Sequence, residues 1–446
     1  MTDRINCVDR IPATSRQVTA MDRRWAWLVL LAMLLPMASA TKHASWKEKL
    51  AEYSTVGLAK VAEGVEWLSF HSGLGPQCEF VDHPSVAVRA HLQKHLIAQD
   101  RAVDSVVAAI ESWEFSRTSS KDHGPLVLAI TGPTGTGKTA TSSLVAEGLF
   151  RRQRKLEHSD KVVPTGLLVF RGEDFSDNYT NPVTQYQEQI KSRLVDHLSK
   201  CSGKAVVVFD EVQKVIPQTL DVLTSAMSHN AQLTYYKNGV ARKVDCSNVI
   251  FVLISDIGVG NMESIMIQYK SREELPFAEL ENEVKKALDA QWDRLQFGKM
   301  IKQVIPFLPF EQRHIIDIIN LKLRDLSHDY KGKYWNQLDI EPGIAKHLSC
   351  LESIPYQARR ATIDGKDHQK VFAKYGARSV ETGPIQQLKS KLLRYLRPWN
   401  TKANIAVSFL PGTEEVVITS CSADDLGDAD EFVDVTCTIK WQGKFK

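Results

Sequence analysis

The chain of 446 residues has no C-x-x-C pair and no Cys/His cluster among its seven cysteines, so nothing in it carries a zinc signature. It also lacks a charge excess: a formal net charge of +3 at this length supplies neither a nucleic-acid coat nor a polybasic membrane patch. No basic stripe with interleaved aromatics occurs, which argues against a nucleic-acid partner. An apolar run long enough for a comfortable membrane span, about 20 residues, is missing too. The one unbroken run, Trp25 to Leu35, is shorter, with MDRR (21–24) before it and Ala38, Ser39 and Ala40 after it. That is the charged n-region, h-region and A-x-A cleavage site of a secretory signal, with Met21 as an alternative start. An uncleaved anchor and a mature helix are the other readings of the same stretch. Removal after Ala40 would leave Cys78, Cys201, Cys246, Cys350, Cys421 and Cys437 in an oxidising compartment. Asn178, Tyr179 and Thr180 form a glycosylation sequon.

What is present is concentrated in PLVLAITGPTGTGKTATSSLVAEGL, Pro125 to Leu149. Leu126 to Ile130 is an apolar run of strand length and the residues after Thr139 read as helix, so the segment between is a strand-to-helix turn. Gly132, Gly137, Lys138 and Thr139 fit G-x-x-x-x-G-K-[ST], a loop whose backbone N–H groups cradle phosphates. Gly135 and Gly137 let the backbone curl close without a Cβ clash, Lys138 brings a point charge, and the Thr139 hydroxyl can ligate Mg²⁺. The nucleotide-binding set is therefore Gly132, Pro133, Thr134, Gly135, Thr136, Gly137, Lys138, Thr139 and Ala140. An incidental Gly-rich turn is the alternative, and the flanking strand and helix argue against it.

Further along, GLLVF (166–170), AVVVF (205–209) and NVIFVLI (248–254) read as strands, with helices between them, which implies a parallel sheet with its active residues at the strand C-termini. Asp210 and Glu211 end the second of these. An Asp there can hold Mg²⁺ and the next carboxylate can activate a water, whereas the bland reading is a helix N-cap pair. Asp256 stands just past the third strand. Helical spacing is expected over 41 to about 75, in the stretch from Pro84, at Thr184 to Ser199, Arg272 to Phe297, Gln312 to Leu326, Ile344 to Leu351 and Ile385 to Leu396. From Trp399 to Lys446 the runs IAVSFL, EVVITSC and FVDVTCTIKW indicate a small hairpin sheet, in which Cys421 and Cys437 are the specific disulfide expectation. The domains expected are a leader (1–40), an N-terminal helical segment (41–85), a large nucleotide-binding domain (86–306), a helical lid (307–397) and a C-terminal β extension (398–446).

These motifs, in this order, resemble the AAA+ superfamily, and within it the Clp-type ATPases and the torsins, over about residues 86 to 397. LQKHLIAQDRAVDSVVAAI is similar to the lead-in helix, GPTGTGKT to Walker A, VVVFDEVQKV to Walker B, NVIFVLISDIG to sensor 1 and YGARSVETGPIQQL to sensor 2. IPFLPFEQRHI, QYQEQI and the leader favour the torsin branch. The resemblance implies an α/β fold, a five-stranded P-loop parallel sheet with a helical lid, and ATP hydrolysis with Mg²⁺ in a homo- or hetero-oligomer acting on protein. It also implies the endoplasmic reticulum lumen or nuclear envelope. By the same resemblance Glu211, Asp256 and Arg378 are the catalytic set, with Thr139 and Asp210 on the metal.

The departures are informative. Thr139 and the run Gly376, Ala377, Arg378 are of the Clp type, where animal torsins carry Asn and Gly-Cys-Lys. Arg378 would reach the γ-phosphate from the lid, against the alternative of a surface arginine. Sensor 1 usually holds a neutral Asn, so the anion of Asp256 should disfavour a nearby phosphate. The arginine-finger position of Clp-type rings falls on Met300, flanked by Lys299 and Lys302, and a lysine does not replace the planar arginine fork. Torsins resemble enzymes completed in trans by the lumenal domain of a membrane-protein activator, and that is the expectation here, with Arg294 the alternative source of a finger. No aromatic-Gly pore motif precedes Walker B, and Tyr179 and Tyr186 read better as packing or surface residues. A Clp-type organellar unfoldase and a nucleotide-gated assembly scaffold are the competing functions.

Overall fold

A computed structural model describes residues 78–445 apart from 120–122, 156–161, 177–181, 238, 293–298, 364, 397–402 and 424–434. The leader, the 41–75 segment, the sequon at Asn178 and Arg294 lie outside the described residues. Those described belong to one compact unit that begins at Pro76, so residues 78–85 go with the nucleotide-binding domain. Among the described residues no helix is long and apolar enough to cross a membrane.

Helices α1 (Pro84–His95) and α2 (Asp100–Ser119) lead into β1 (Leu126–Thr131), and α3 (Lys138–Leu149) follows the glycine-rich turn. A small antiparallel pair, β2 (Gln153–Lys155) and β3 (Val162–Pro164), precedes β4 (Leu167–Arg171), α4 (Pro182–Lys200) and β5 (Ala205–Asp210). Then come a short α5 (Thr224–Met227), the hairpin β6 (Gln232–Lys237) and β7 (Val240–Asp245), and β8 (Val249–Ser255). Helices α6 (Val259–Gln268) and α7 (Phe277–Trp292) and strand β9 (Gln303–Pro306) complete the large domain. The helix expected from Arg272 starts at Phe277 instead, because Pro276 disfavours helical backbone in the residue before it.

The main sheet runs β4-β5-β8-β1-β9 and is parallel throughout. Strands covered on both faces read as continuous apolar runs, which is why β1, β5 and β8 were legible. Alternate residues serve opposite cores. Val127, Val207, Phe209 and Phe251 face α4, α6 and α7, while Leu128, Val206, Val208 and Val252 face α1, α2 and α3. Parallel register carries Thr131, Asp210 and Ser255 to the same edge of the sheet.

The lid opens with α8 (Gln312–Asp329), N-capped by Glu311 in a capping box with His314. Strand β10 (Gln337–Ile340), α9 (Gly343–Ser349), and a hairpin of β11 (Tyr356–Ile363) and β12 (Lys366–Ala373) follow. Helices α10 (Gly376–Val380) and α11 (Gln386–Tyr395) are joined by a π-helical turn, Glu381–Ile385, that accommodates Pro384. The chain ends in β13 (Asn404–Phe409), β14 (Val416–Ala423) and β15 (Val435–Gly443). These last strands do not stand apart from the lid as a separate hairpin sheet. β13 pairs in parallel with β10, and Ile405, Val407, Val416, Ile418 and Phe445 share one core with α8, α9 and α11.

Cys421 faces Cys437 across β14 and β15 and the two are bonded, as expected from the sequence. A second disulfide, Cys78–Cys201, was not foreseen; it ties the segment before α1 to the end of α4 across a sequence separation of 123, against 16 for the first. In a chain-entropy account the longer loop matters more. Replacing Cys78 and Cys201 by Ser should cost about 4–5 kcal/mol, against about 3 for the C-terminal pair. Guanidinium unfolding of both double variants measures this; a smaller loss at Cys78–Cys201 would show that loop length does not set the effect.

Candidate nucleotide site

The turn after β1 is built from close backbone approaches. A Cβ on Gly132 would lie 2.4 Å from the Phe307 carbonyl oxygen, and one on Gly135 (φ +76°) would lie 2.1 Å from that of Tyr375. Gly137 (φ +105°) N-caps α3, whose first residue is Lys138. Lys138 is buried, and its Nζ donates to the carbonyl oxygens of Gly132 at 2.6 Å and Pro133 at 2.8 Å. Gly132 and Pro133 thus hold the lysine, while Thr134 to Ala140 line a cleft of about 530 Å³. Burial pushes the Lys138 ammonium down to about 8, against the opposing charges of Glu211, Asp256 and Asp210.

Parallel strand order brings the acidic residues to this loop. Thr139 Oγ1 donates to Asp210 Oδ2 at 3.0 Å, so the expected metal ligands are adjacent. Glu211 has left-handed backbone (φ 58°, ψ 47°), uncommon for a residue with a side chain. Gly172 leaves the space: a Cβ there would lie 2.1 Å from the Glu211 carbonyl oxygen. Glu211 lines the cleft, and its Oε2 accepts from Gln213 Nε2 at 2.6 Å. Lys214 Nζ sits 3.6 Å from the same oxygen and 2.7 Å from Glu173. From the lid, Ala377 and Arg378 line the cleft too. Asp256 is exposed and outside the cleft lining, but its charge acts on Lys138. Met300 packs on the large-domain core between exposed Lys299 and Lys302, and Tyr186 stacks edge-on against Phe175.

Two contributors escaped the sequence reading. Leu96, Ile97, Ile318 and Leu321 give the cleft an apolar wall. Gln99, 3% exposed, donates from Nε2 to Leu308 O at 2.9 Å and Thr136 O at 3.3 Å, and its Oε1 accepts from Leu308 N at 3.1 Å. The glutamine therefore ties the glycine loop to the strand leading into the lid. Beside it, Arg272 donates to Ala98 O and Pro309 O, and burial lowers its guanidinium to about 10. A polar Gln99 directly after the apolar run Leu96, Ile97 and Ala98 was the available signal.

The glycine cradle and buried lysine fit a polyphosphate. The Thr139–Asp210 pair fits a hard divalent cation that keeps water and phosphate as its other ligands. Among the described residues no group of three or more His, Cys, Asp or Glu side chains is placed to hold a metal by itself. Lys138 sets the pH response, since only the ammonium form attracts phosphate and its affinity-bearing state is lost as pH rises through about 8. ATP affinity should be flat below that pH and weaken above it, with proton uptake on binding approaching one per nucleotide. Calorimetry in two buffers of different ionisation heat measures the uptake; an unchanged affinity through pH 9.5 would contradict the assignment.

A family model described as Torsin matches residues 73–209, the interval holding the glycine loop and Asp210's strand. A torsin-like protein of Caenorhabditis elegans is 27% identical over 299 residues, 65% of this chain and 76% of that one. One of Drosophila melanogaster is 26% identical over 267 residues, 58% of this chain and 72% of that one. The human mitochondrial disaggregase is 24% identical over 295 residues, 60% of this chain but only 39% of its own length. Among solved structures, the S. cerevisiae Hsp104-ADP complex aligns with a TM-score of 0.49 at 17% identity, covering 74% of this chain and 51% of that one. With its parallel sheet, glycine cradle and lid, the chain is similar to the torsin-like AAA+ proteins.

Proposed function

We propose that the chain binds ATP with Mg²⁺ in this cleft and hydrolyses it to ADP and phosphate. The energy would go to remodelling proteins or membrane-associated complexes in the lumen of the secretory pathway. The observation that carries this reading is the convergence of Thr139, Asp210 and Glu211 on the glycine loop. Glu211 takes a proton from the attacking water once its bond to Gln213 is given up. Lys138 leaves the loop carbonyls for the phosphate oxygens, and Arg378 meets the terminal phosphate from the lid. Thr139 and Asp210 would hold Mg²⁺, which when bound neutralises charge on the phosphate oxygens.

The two disulfides support an oxidising compartment, in keeping with the leader in the sequence. With Met300 in the finger position, a partner supplying an arginine would raise turnover by about 10³ to 10⁵, the scale known for small GTPases. A Clp-type disaggregase working as a homo-oligomer is the second reading, favoured by Thr139 and Arg378. Asp256 is assigned a braking role at sensor 1.

The test is steady-state ATP hydrolysis by the chain lacking residues 1–40, over a wide protein concentration range, with Glu211→Gln as the blank and thermal shift as the binding control. Binding with negligible turnover, relieved by a lumenal membrane-protein extract, is the expected result. Brisk turnover that rises with protein concentration would replace it by the disaggregase reading. Asp256→Asn should speed hydrolysis by about 5- to 10-fold if the anion opposes charge build-up at the phosphate. No change would remove Asp256 from the mechanism.

A further inference from the structure

The segments bearing Asp256 and Arg378 belong to different domains, and the lid hairpin joins them. β8 ends at Ser255, and after Asp256 the chain turns at Gly258 into α6, which carries Glu263. Glu263 is buried at 6% exposure, and both of its oxygens are engaged by one strand of the lid. Oε2 accepts from Arg359 Nε at 2.8 Å, and Oε1 from Gln357 Nε2 at 3.4 Å, residues two apart on β11 and so on one face of it. A carboxylate taken out of water is tolerable only with partners of this kind, so the hairpin completes α6 and α6 fixes the hairpin.

β11 is paired along its length with β12, which runs straight into the sensor-2 turn. Phe372, at the end of β12, is fully buried in the core of the large domain rather than that of the lid. Ala373 N donates to Phe310 O at 2.8 Å, and Ala377 N donates to Gly135 O at 2.8 Å, one residue before Arg378. The turn bearing Arg378 is therefore held from both sides, and on the sheet side it follows β12, which carries Phe372 into the large-domain core and is paired with the strand gripped by Glu263.

Resting on the nucleotide reading above, we propose that the Glu263–Arg359 ion pair is a positioning link. It sets Arg378 against the phosphate loop and so makes the cleft discriminate ATP from ADP. Neither residue touches the nucleotide, and their effect passes through Arg378 alone.

The test measures binding of Mg·ATP and of ADP in the full chain carrying Glu211→Gln, so that no activator is needed. Arg359→Met and Glu263→Gln should each weaken Mg·ATP about tenfold and leave ADP unchanged, because ADP lacks the oxygens Arg378 addresses. Arg359→Lys should keep most of the ATP preference, and Arg359→Met should add nothing once Arg378→Ala is present. Arg359 is half-exposed, so its variants are expected to fold, which circular dichroism confirms. Equal loss for both nucleotides, no loss for either, or losses additive with Arg378→Ala would each overturn the link while leaving the nucleotide site standing. A parent chain that binds neither nucleotide would overturn the site and the link together.

Discussion

Two backbone turns meet at Gly135 and Gly376 with no side chain between them, and the geometry of the cleft depends on that contact. A Cβ on Gly135 would lie 2.1 Å from the Tyr375 carbonyl oxygen, and one on Gly376 would lie 2.5 Å from that of Gly135. Both residues have positive φ, so the approach needs glycine for conformation as well as for space. The hydrogen bond from Ala377 N to Gly135 O then makes the phosphate loop and the lid turn a single structural piece. On the far side Gln99 and Arg272 fasten the same loop region to Leu308 and Pro309. The lid is thus attached to the loop that would hold phosphate at both ends of its hinge, so a shift in one must be felt in the other.

The hinge is also insulated from pH. His314 Nδ1 accepts from the Glu311 N–H in the α8 capping box, which requires that nitrogen to be unprotonated. Burial, with Arg272 and Arg313 nearby, pushes the imidazole down to about 3, so the cap persists throughout the neutral range. Arg272, lowered to about 10, keeps its charge there as well. Lys138 gives the site a pH sensitivity of its own, its cation being half lost near pH 8 without phosphate. Its two carbonyl partners in the loop satisfy it until a better anion arrives.

Local pattern made the buried parts legible and left the rest silent. β1, β5 and β8 are apolar runs because both of their faces are covered, and the glycine loop between β1 and α3 announces itself by spacing. The hairpin β6–β7 has neither signal, since its strands QLTYYK and VARKVD are mostly exposed; the Asn-Gly pair in the sequence between them is a hairpin signal that was passed over. β11 and β12 are equally polar, yet they carry Phe372 into the main core and Gln357 and Arg359 onto α6. The β10–β13 pairing and the Cys78–Cys201 bond join residues too distant for any window to connect. At the site, motif order located Lys138, Thr139, Asp210, Glu211 and Arg378, whereas Gln99 matters through contacts that exist only after folding.

The charge arrangement bears on why such a site would need a partner. Asp210, Glu211 and Asp256 lie close enough to act on Lys138, so that cation is already drawn to those carboxylates. A polyphosphate adds several negative charges to this set, and displacing the water around it makes each repulsion stronger. Position 300 cannot meet the demand from within the chain, because Met300 is packed on the large-domain core and a cation there would have to be taken out of water. Lys299 and Lys302 are exposed, but an ammonium is a single strongly hydrated point charge and does not grip a phosphate in two places. A cation delivered from another molecule arrives already paired with the charge it neutralises, so the resting chain need not hold a buried, unpartnered arginine. On that argument a methionine at position 300 and the proposed activator would be complementary: the partner would supply the charge that this position does not.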